Sequence, residues 1–86
     1  MAEEAARISK EHQKWMLETL KENGGSCTYE VIVRVGEEKH CDTVGAMLRV
    51  LKMKKAISYD GMFLMYPGDK AQVVKLVNPD YDPFAQ

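Results

Sequence analysis

A chain of 86 residues, 45% hydrophobic and 29% charged, has the composition of one small globular domain. Its formal net charge of −1 argues against a general nucleic-acid-binding protein, because domains that bind polyanions usually carry a basic excess. No apolar run approaches the roughly 20 residues of a membrane-spanning helix, and the acidic start at residues 1–6 does not resemble a signal peptide. We therefore expect a cytoplasmic protein whose two cysteines, Cys27 and Cys41, are reduced thiols.

The first predicted element is a helix over residues 3–22, which contain neither proline nor glycine and are rich in strong helix formers. Residues at three- and four-residue steps form one mostly apolar stripe along it. The members of this stripe are Ile8, His12, Trp15, Met16, Thr19 and Leu20. Asn23 and the two glycines after it are expected to end the helix, because glycine readily adopts the left-handed conformation found at helix C-termini.

A half-buried strand is predicted over residues 28–35, which are rich in β-branched side chains and alternate in character. The residues that would share one face of this strand are Tyr29, Val31, Val33 and Val35. A polar loop at residues 36–39 would follow.

The next predicted element is a helix from Thr43 to about Lys55. Asp42 is expected to cap its start, because a carboxylate can accept the free amide hydrogens of the first turn. The residues expected to face the core are Val44, Met47, Leu48 and Leu51. Gly45 lacks a side chain, so it is expected to permit close packing against a neighbouring element.

The last third of the chain predicts strands. Residues 57–59 form a short strand, and Asp60-Gly61 is a turn signal. Residues 62–66 and 72–77 are two apolar runs that predict a hairpin with a loop between them. Residues 79–86 contain two prolines and predict an irregular tail.

This order of elements is similar to that of a winged-helix domain. Such a domain has one more short helix before the central helix, and residues 30–40 offer the only room for it. We therefore predict an α+β fold, a small winged-helix-like domain over residues 1–78 that is followed by an irregular tail at residues 79–86.

A family resemblance adds to this prediction. Residues 44–64 are VGAMLRVLKMKKAISYDGMFL, a leucine-rich helix with a basic end, an aromatic step at Tyr59, an Asp60-Gly61 turn and an apolar strand. This succession resembles the costars family, whose domain also forms the C-terminal actin-binding region of the striated-muscle activator of Rho signalling. Asp69 followed by the aliphatic residues of segment 73–76 is similar to the last strand of that family.

The resemblance extends over residues 12–77 with two differences. Glu30 stands where the family usually has glycine, and the strand predicted at residues 28–35 lies where the family begins a short helix. A short helix within residues 28–40 would favour the family assignment, whereas a long strand would speak against it. The resemblance implies a winged-helix-like fold and an actin-linked role in the cytoskeleton.

No candidate active site or metal site stands out. The possible soft ligands, His12, Cys27, His40 and Cys41, lack the paired spacing of a zinc site. Cys41 precedes a helix, where a thiol can be activated, but a small buried cysteine is the commoner arrangement. For His12 we expect a partly buried side chain with a satisfied hydrogen bond. We predict a protein that is not an enzyme and has no cofactor.

A basic cluster is the most distinctive predicted surface. Its members are Arg49, Lys52, Lys54, Lys55, Lys70 and Lys75. These residues are either a solvated face that compensates the helix dipole or a docking face for an acidic partner such as actin. Against DNA, the helix at residues 43–55 has one arginine and neither asparagine nor glutamine to contact base edges.

We therefore predict a monomeric, non-enzymatic, actin-associated protein with no membrane partner. The alternatives are a nucleic-acid-binding winged helix and a protein-interaction module whose partner the sequence does not identify. The methionines of the predicted hairpin, Met62 and Met65, fit either the core or an adaptable binding surface.

Overall fold

Three α-helices and a small antiparallel sheet form the fold within residues 2–85, which the computed structural model describes, with side chains from residue 6 onward. The predicted α+β class is confirmed. The elements in chain order are α1 (Ala2–Glu22), β1 (Ser26–Thr28), α2 (Tyr29–Glu38), α3 (Val44–Met53), β2 (Ile57–Ser58), β3 (Val73–Leu76) and a short 3₁₀ helix (Pro83–Ala85). The strand order is β1-β3-β2, and β3 runs antiparallel to both neighbours.

Helix α1 confirms the helix predicted over residues 3–22 and supplies a large part of the core. The residues that it buries are Gln13, Trp15, Met16, Leu17, Thr19 and Leu20. Ile8, which we predicted on the same stripe, is 42% exposed. The buried part of α1 starts at Gln13, so Ile8 lies outside it. Neither α1 nor any other helix in the described residues is long and apolar enough to cross a bilayer.

Helix α2 corrects the strand predicted over residues 28–35. Strand β1 ends at Thr28, and the chain continues as a helix that buries Tyr29, Ile32 and Gly36, which are spaced for one helical face. The β preference of valine and isoleucine amounts to about 1 kcal/mol or less. Burying a large apolar side chain contributes ~1.5–3 kcal/mol, so packing of this face outweighs the local preference.

Two glycines allow α2 and α3 to pack closely. A Cβ on Gly36, which we had placed in a polar loop, would lie 2.6 Å from Cγ2 of Val44 and 3.4 Å from Cη2 of Trp15. A Cβ on Gly45 would lie 3.1 Å from the carbonyl oxygen of Leu64. The close packing predicted at Gly45 is therefore confirmed, and Gly36 has the same role.

Helix α3 lies within the predicted range and buries the predicted residues Val44, Leu48 and Leu51. The predicted cap at Asp42 is wrong. The N-cap residue is Thr43, whose carbonyl accepts the amide hydrogen of Met47 at 2.9 Å and whose side chain makes no capping hydrogen bond within the described chain. Asp42 therefore lies one residue too early to cap the helix, and its side chain is exposed.

All three helices end in the same hydrogen-bonded motif. A backbone amide after each helix donates to a carbonyl five residues earlier, as in a Schellman motif. These bonds join Gly25 to Leu20, Cys41 to Gly36 and Ala56 to Leu51. The left-handed residue of each motif is Gly24, His40 or Lys55, with φ of 78°, 55° and 61°. The stop predicted after residue 22 is therefore confirmed.

The predicted hairpin exists with a different first strand. Strands β2 and β3 pair through Ile57–Leu76 and Ser58–Lys75, while residues 62–66, which we predicted as a strand, are irregular. Because β1 and β2 already occupy the two edges of β3, residues 62–66 cannot pair with β3 as the predicted hairpin required. We refer to residues 59–72, which join β2 to β3, as the 59–72 loop.

The tail predicted as an irregular extension lies against α1. Pro83 is buried, and the hydroxyl group of Tyr81 donates to Oε1 of Gln13 at 3.5 Å. The short 3₁₀ helix at Pro83–Ala85 is its one regular element among the described residues. The tail thus covers part of the first helix.

Candidate functional site

The 59–72 loop is held against α3 by two buried side chains, Tyr59 and Leu64. The hydroxyl group of Tyr59 donates to the carbonyl of Met62 at 3.3 Å, and the backbone carbonyl of Leu64 lies close to Gly45 in the first turn of α3. The loop therefore lies along α3, from Lys52, which donates to the carbonyl of Tyr59, to Gly45 beside Leu64.

Around these anchors, large apolar side chains remain exposed. Met53, Met62, Phe63, Met65 and Tyr66 are each more than half exposed. A small domain needs its large apolar side chains in the core, so five exposed ones within residues 53–66 make this surface the candidate binding site. We call these five residues, together with Arg49, Lys52, Lys54 and Lys55, the α3–loop surface.

Two of the predicted basic residues are engaged within this surface. The guanidinium carbon of Arg49 lies 4.4 Å from the centre of the Phe63 ring, a cation–π contact. The ammonium group of Lys52 donates to the carbonyl of Tyr59 at 2.8 Å and to that of Gly61. Arg49 and Lys52, with Met53 and Met62, line a shallow groove. Lys52 therefore holds the loop against α3 through its hydrogen bonds, in addition to carrying a positive charge.

The other four predicted residues are exposed in different places. Lys54 and Lys55 follow the last turn of α3, and Lys75 lies in the middle strand β3. The carbonyl of Lys70 accepts the amide hydrogen of Glu30 at 3.0 Å, which places Lys70 beside the start of α2. The six residues therefore do not form one cluster, and the groove contacts include Arg49 and Lys52 alone among them.

The charge of the chain is unevenly distributed, which its net value hides. Residues 43–77, which contain α3 and the loop, carry six lysines or arginines and two aspartates. Residues 1–42 carry nine acidic and six basic residues, and residues 78–86 carry two aspartates and no basic residue. Four of those six basic residues, Arg49, Lys52, Lys54 and Lys55, belong to the α3–loop surface, whose charge is therefore complementary to that of an acidic surface.

The two buried tyrosines beside this surface, Tyr29 and Tyr59, have raised pKa values. Burial raises the pKa of Tyr59, an effect that Arg49 partly opposes. Burial, and then the charge of Asp69, raise the pKa of Tyr29. The lysines and Arg49 therefore determine the charge of the surface.

The cysteines are placed as buried or half-buried thiols. Both are free cysteines within the described residues. The sulfur of Cys41 is buried and lies 3.9 Å from the hydroxyl oxygen of Thr43, while His40 is an exposed residue at the end of α2. Burial raises the pKa of the Cys27 thiol, which disfavours the reactive thiolate.

His12 has the satisfied environment that we expected. Its Nδ1 accepts the indole N–H of Trp15 at 3.0 Å, one turn along α1, and its side chain is half-buried. Over the part of the chain that the structure describes, no three His, Cys, Asp or Glu side chains come together as a metal site would require.

Sequence reasoning left the apolar part of the surface undecided, because it assigned Met62 and Met65 either to the core or to a binding surface. The run Met62–Tyr66 is apolar at all five positions, so a strand there would present two apolar faces, and this was the available signal. Met53 and Phe63 carried no separate signal, because their exposure depends on how the loop lies along α3.

Comparison with known proteins identifies no family for this chain. No protein-family model matches the sequence, and no curated protein or solved structure matches it significantly. The resemblance to the costars family therefore stays a hypothesis that rests on the residues quoted for it.

Proposed function

We propose that this chain is a non-enzymatic protein that binds actin through the α3–loop surface. The observation that carries the proposal is the set of five apolar side chains that stay exposed beside basic residues. Buried interface centres are enriched in methionine, aromatic residues and arginine, all of which this surface contains. Actin offers the complementary acidic surface, and the costars resemblance supplies the reason for choosing it.

The fold that we propose with this function is winged-helix-like. The order α1, β1, α2, α3, β2, β3 and the sheet order β1-β3-β2 agree with that topology, in which the 59–72 loop is the wing. Helix α2 also lies where the costars family has a short helix, so it removes one of the two differences noted above. Glu30 remains the other difference.

The α3–loop surface is less suited to nucleic acid. In a DNA-binding winged helix, α3 would enter the major groove and its basic side chains would contact bases and phosphates. Here Arg49 stacks on Phe63 and Lys52 is bound to loop carbonyls, so neither side chain is free for this task. DNA binding with a steep salt dependence would instead favour the nucleic-acid alternative.

Co-sedimentation with filamentous actin, together with a binding assay on monomeric actin, tests the proposal. We expect the wild-type protein to bind one of the two forms. The double variant Met53→Ser, Met62→Ser should bind at least about tenfold more weakly, because it removes buried apolar area from the interface. The matched control is Ile8→Ser, Val77→Ser, which removes two exposed apolar side chains outside the surface.

A charge-reversal variant tests the electrostatic part. Lys54→Glu, Lys55→Glu should slow association and reduce its salt dependence, whereas Lys21→Glu on α1 should not. Lys52 is left unchanged because its replacement would also release the loop. Absence of binding to both forms of actin would reject the proposal and leave an interaction module for another acidic partner.

A further inference from the structure

The methionines of this chain fall into two groups. Met53, Met62 and Met65 are 70%, 69% and 71% exposed, and all three belong to the α3–loop surface. Met16 is fully buried in the core. Met47 is half-buried, and its sulfur accepts a hydrogen bond from the Ser9 hydroxyl group at 3.3 Å. Every methionine that is readily reached by solvent in the described chain is therefore on the candidate binding surface.

We propose that Met53, Met62 and Met65 are a reversible oxidation site that weakens partner binding by the α3–loop surface. This inference rests on the proposed function, because the binding that oxidation would control is the one proposed above. The oxidant class is a peroxide, and the modification is conversion of the thioether to the sulfoxide.

The reaction needs only the thioether and the peroxide. The sulfur attacks one peroxide oxygen, an S–O bond forms and the O–O bond breaks. The sulfur loses two electrons, and the other peroxide oxygen leaves as water after taking up the proton of the transferred oxygen. Because a peroxide must reach the sulfur, the exposed methionines are expected to react much faster than Met16.

Oxidation should change binding without changing the fold. A sulfoxide is polar and chiral, and it must be dehydrated when a partner covers it, which costs free energy unless it finds a hydrogen-bond donor. Met53 and Met62 line the groove together with Arg49 and Lys52, so a partner that fills the groove would cover their sulfoxides. The three side chains contribute little to the core, so unfolding should be little affected.

The first experiment maps the site. The protein is treated with hydrogen peroxide, the reaction is stopped with catalase at intervals, and each methionine is followed by peptide mass spectrometry. We expect Met53, Met62 and Met65 to oxidise first, and Met16 to serve as the slow internal reference. Oxidation of Met16 at the same rate, or loss of cooperative unfolding before the other three react, would overturn the assignment.

The second experiment measures actin binding after peroxide has been removed, so that actin itself is not oxidised. We expect binding to weaken by at least about tenfold. Methionine sulfoxide reductases should restore it, while a thiol reductant that repairs only cysteine oxidation should not. The triple variant Met53→Leu, Met62→Leu, Met65→Leu should bind and should be insensitive to peroxide.

The outcomes separate the two proposals. Failure of the untreated protein to bind actin rejects the proposed function and, with it, the control of that binding. Equal binding before and after oxidation, with sulfoxides demonstrated at the three positions, rejects this inference and leaves the proposed function intact. A leucine variant that still loses binding after peroxide assigns the effect to other residues and also rejects it.

Discussion

Two regions of this molecule use the same kinds of side chain in opposite ways. Helix α1 packs against α3, β3 and the tail, and its residues Trp15, Met16 and Leu20 are buried in the core. The α3–loop surface leaves Met53 and Met62 uncovered at its groove. The residue types are similar, so the role of each is set by whether another element covers it. The buried set stabilises the fold, and the exposed set is available to a partner.

The largest expected effect comes from comparing two positions on α3. Leu48→Ala should lower the free energy of unfolding by ~2–5 kcal/mol, because Leu48 is fully buried and its truncation leaves a cavity. Met53→Ala, five residues later on the same helix, should change it by less than about 0.5 kcal/mol. Urea denaturation measures both. A large loss for Met53→Ala would mean that this side chain is part of the core after all.

A smaller effect is expected where α2 packs on α3. Gly36→Ala should cost ~1–2 kcal/mol, because overpacking against Val44 costs ~1–3 kcal/mol and the better helix propensity of alanine returns at most about 1 kcal/mol. The stiff, buried Val44 side chain has little freedom to move away.

The control is the same substitution in a Val44→Ala background, where the clashing methyl group is gone. There Gly36→Ala should be neutral or stabilising when measured by the same urea denaturation. Equal destabilisation in both backgrounds would contradict the assigned contact.

The basic residues of the α3–loop surface can be divided in the same way. Lys52→Met keeps most of the side-chain volume but removes the hydrogen bonds to Tyr59 and Gly61, so we expect a loss of about 1–2 kcal/mol. Lys54→Met, two residues later and exposed, should be within about 0.5 kcal/mol of wild type. Thermal unfolding measured on both variants decides whether Lys52 clamps the loop. Equal stability of the two would make Lys52 an ordinary surface lysine.

The sequence predicted correctly those elements in which the conformational preference of the residues and the spacing of the apolar residues favour the same structure. Helices α1 and α3 have good helix formers and an apolar stripe with the same period, and both were found. In α2 the two signals conflict, because its valines and isoleucine favour strands while Tyr29, Ile32 and Gly36 are spaced for a helix. Only the packing of that face against the core resolves the conflict.

The candidate site shows the same division between local and tertiary information. The basic residues around α3 are visible in the sequence, but the exposure of Phe63 and the binding of Lys52 to loop carbonyls depend on the course of the 59–72 loop. That course in turn depends on which strands occupy the edges of β3, because the predicted pairing of residues 62–66 with β3 competes with the pairing of β1 and β2. Local patterns do not contain this competition between strands.

The smallest expected effect concerns the ends of α1 and α3. Each helix ends in a left-handed residue, which is Gly24 in α1 and Lys55 in α3. A left-handed conformation costs a non-glycine residue ~1–2 kcal/mol, and glycine loses more entropy on folding by ~0.5–1 kcal/mol, so Lys55→Gly should stabilise the domain by up to about 1 kcal/mol. Urea denaturation measures this gain. Lys54→Gly is the control: it also removes one lysine charge, but φ at residue 54 is −81°, so glycine relieves no left-handed strain there and no gain is expected.

The same variant separates the two roles of Lys55. If its charge assists docking, Lys55→Gly should bind actin more weakly although it folds more stably. Glycine at the helix end raises the free energy of unfolding, whereas loss of the positive charge lowers the rate of association with actin. Unchanged binding would assign Lys55 to the helix end alone. A loss of stability would show that the Lys55 side chain makes contacts that outweigh its backbone strain.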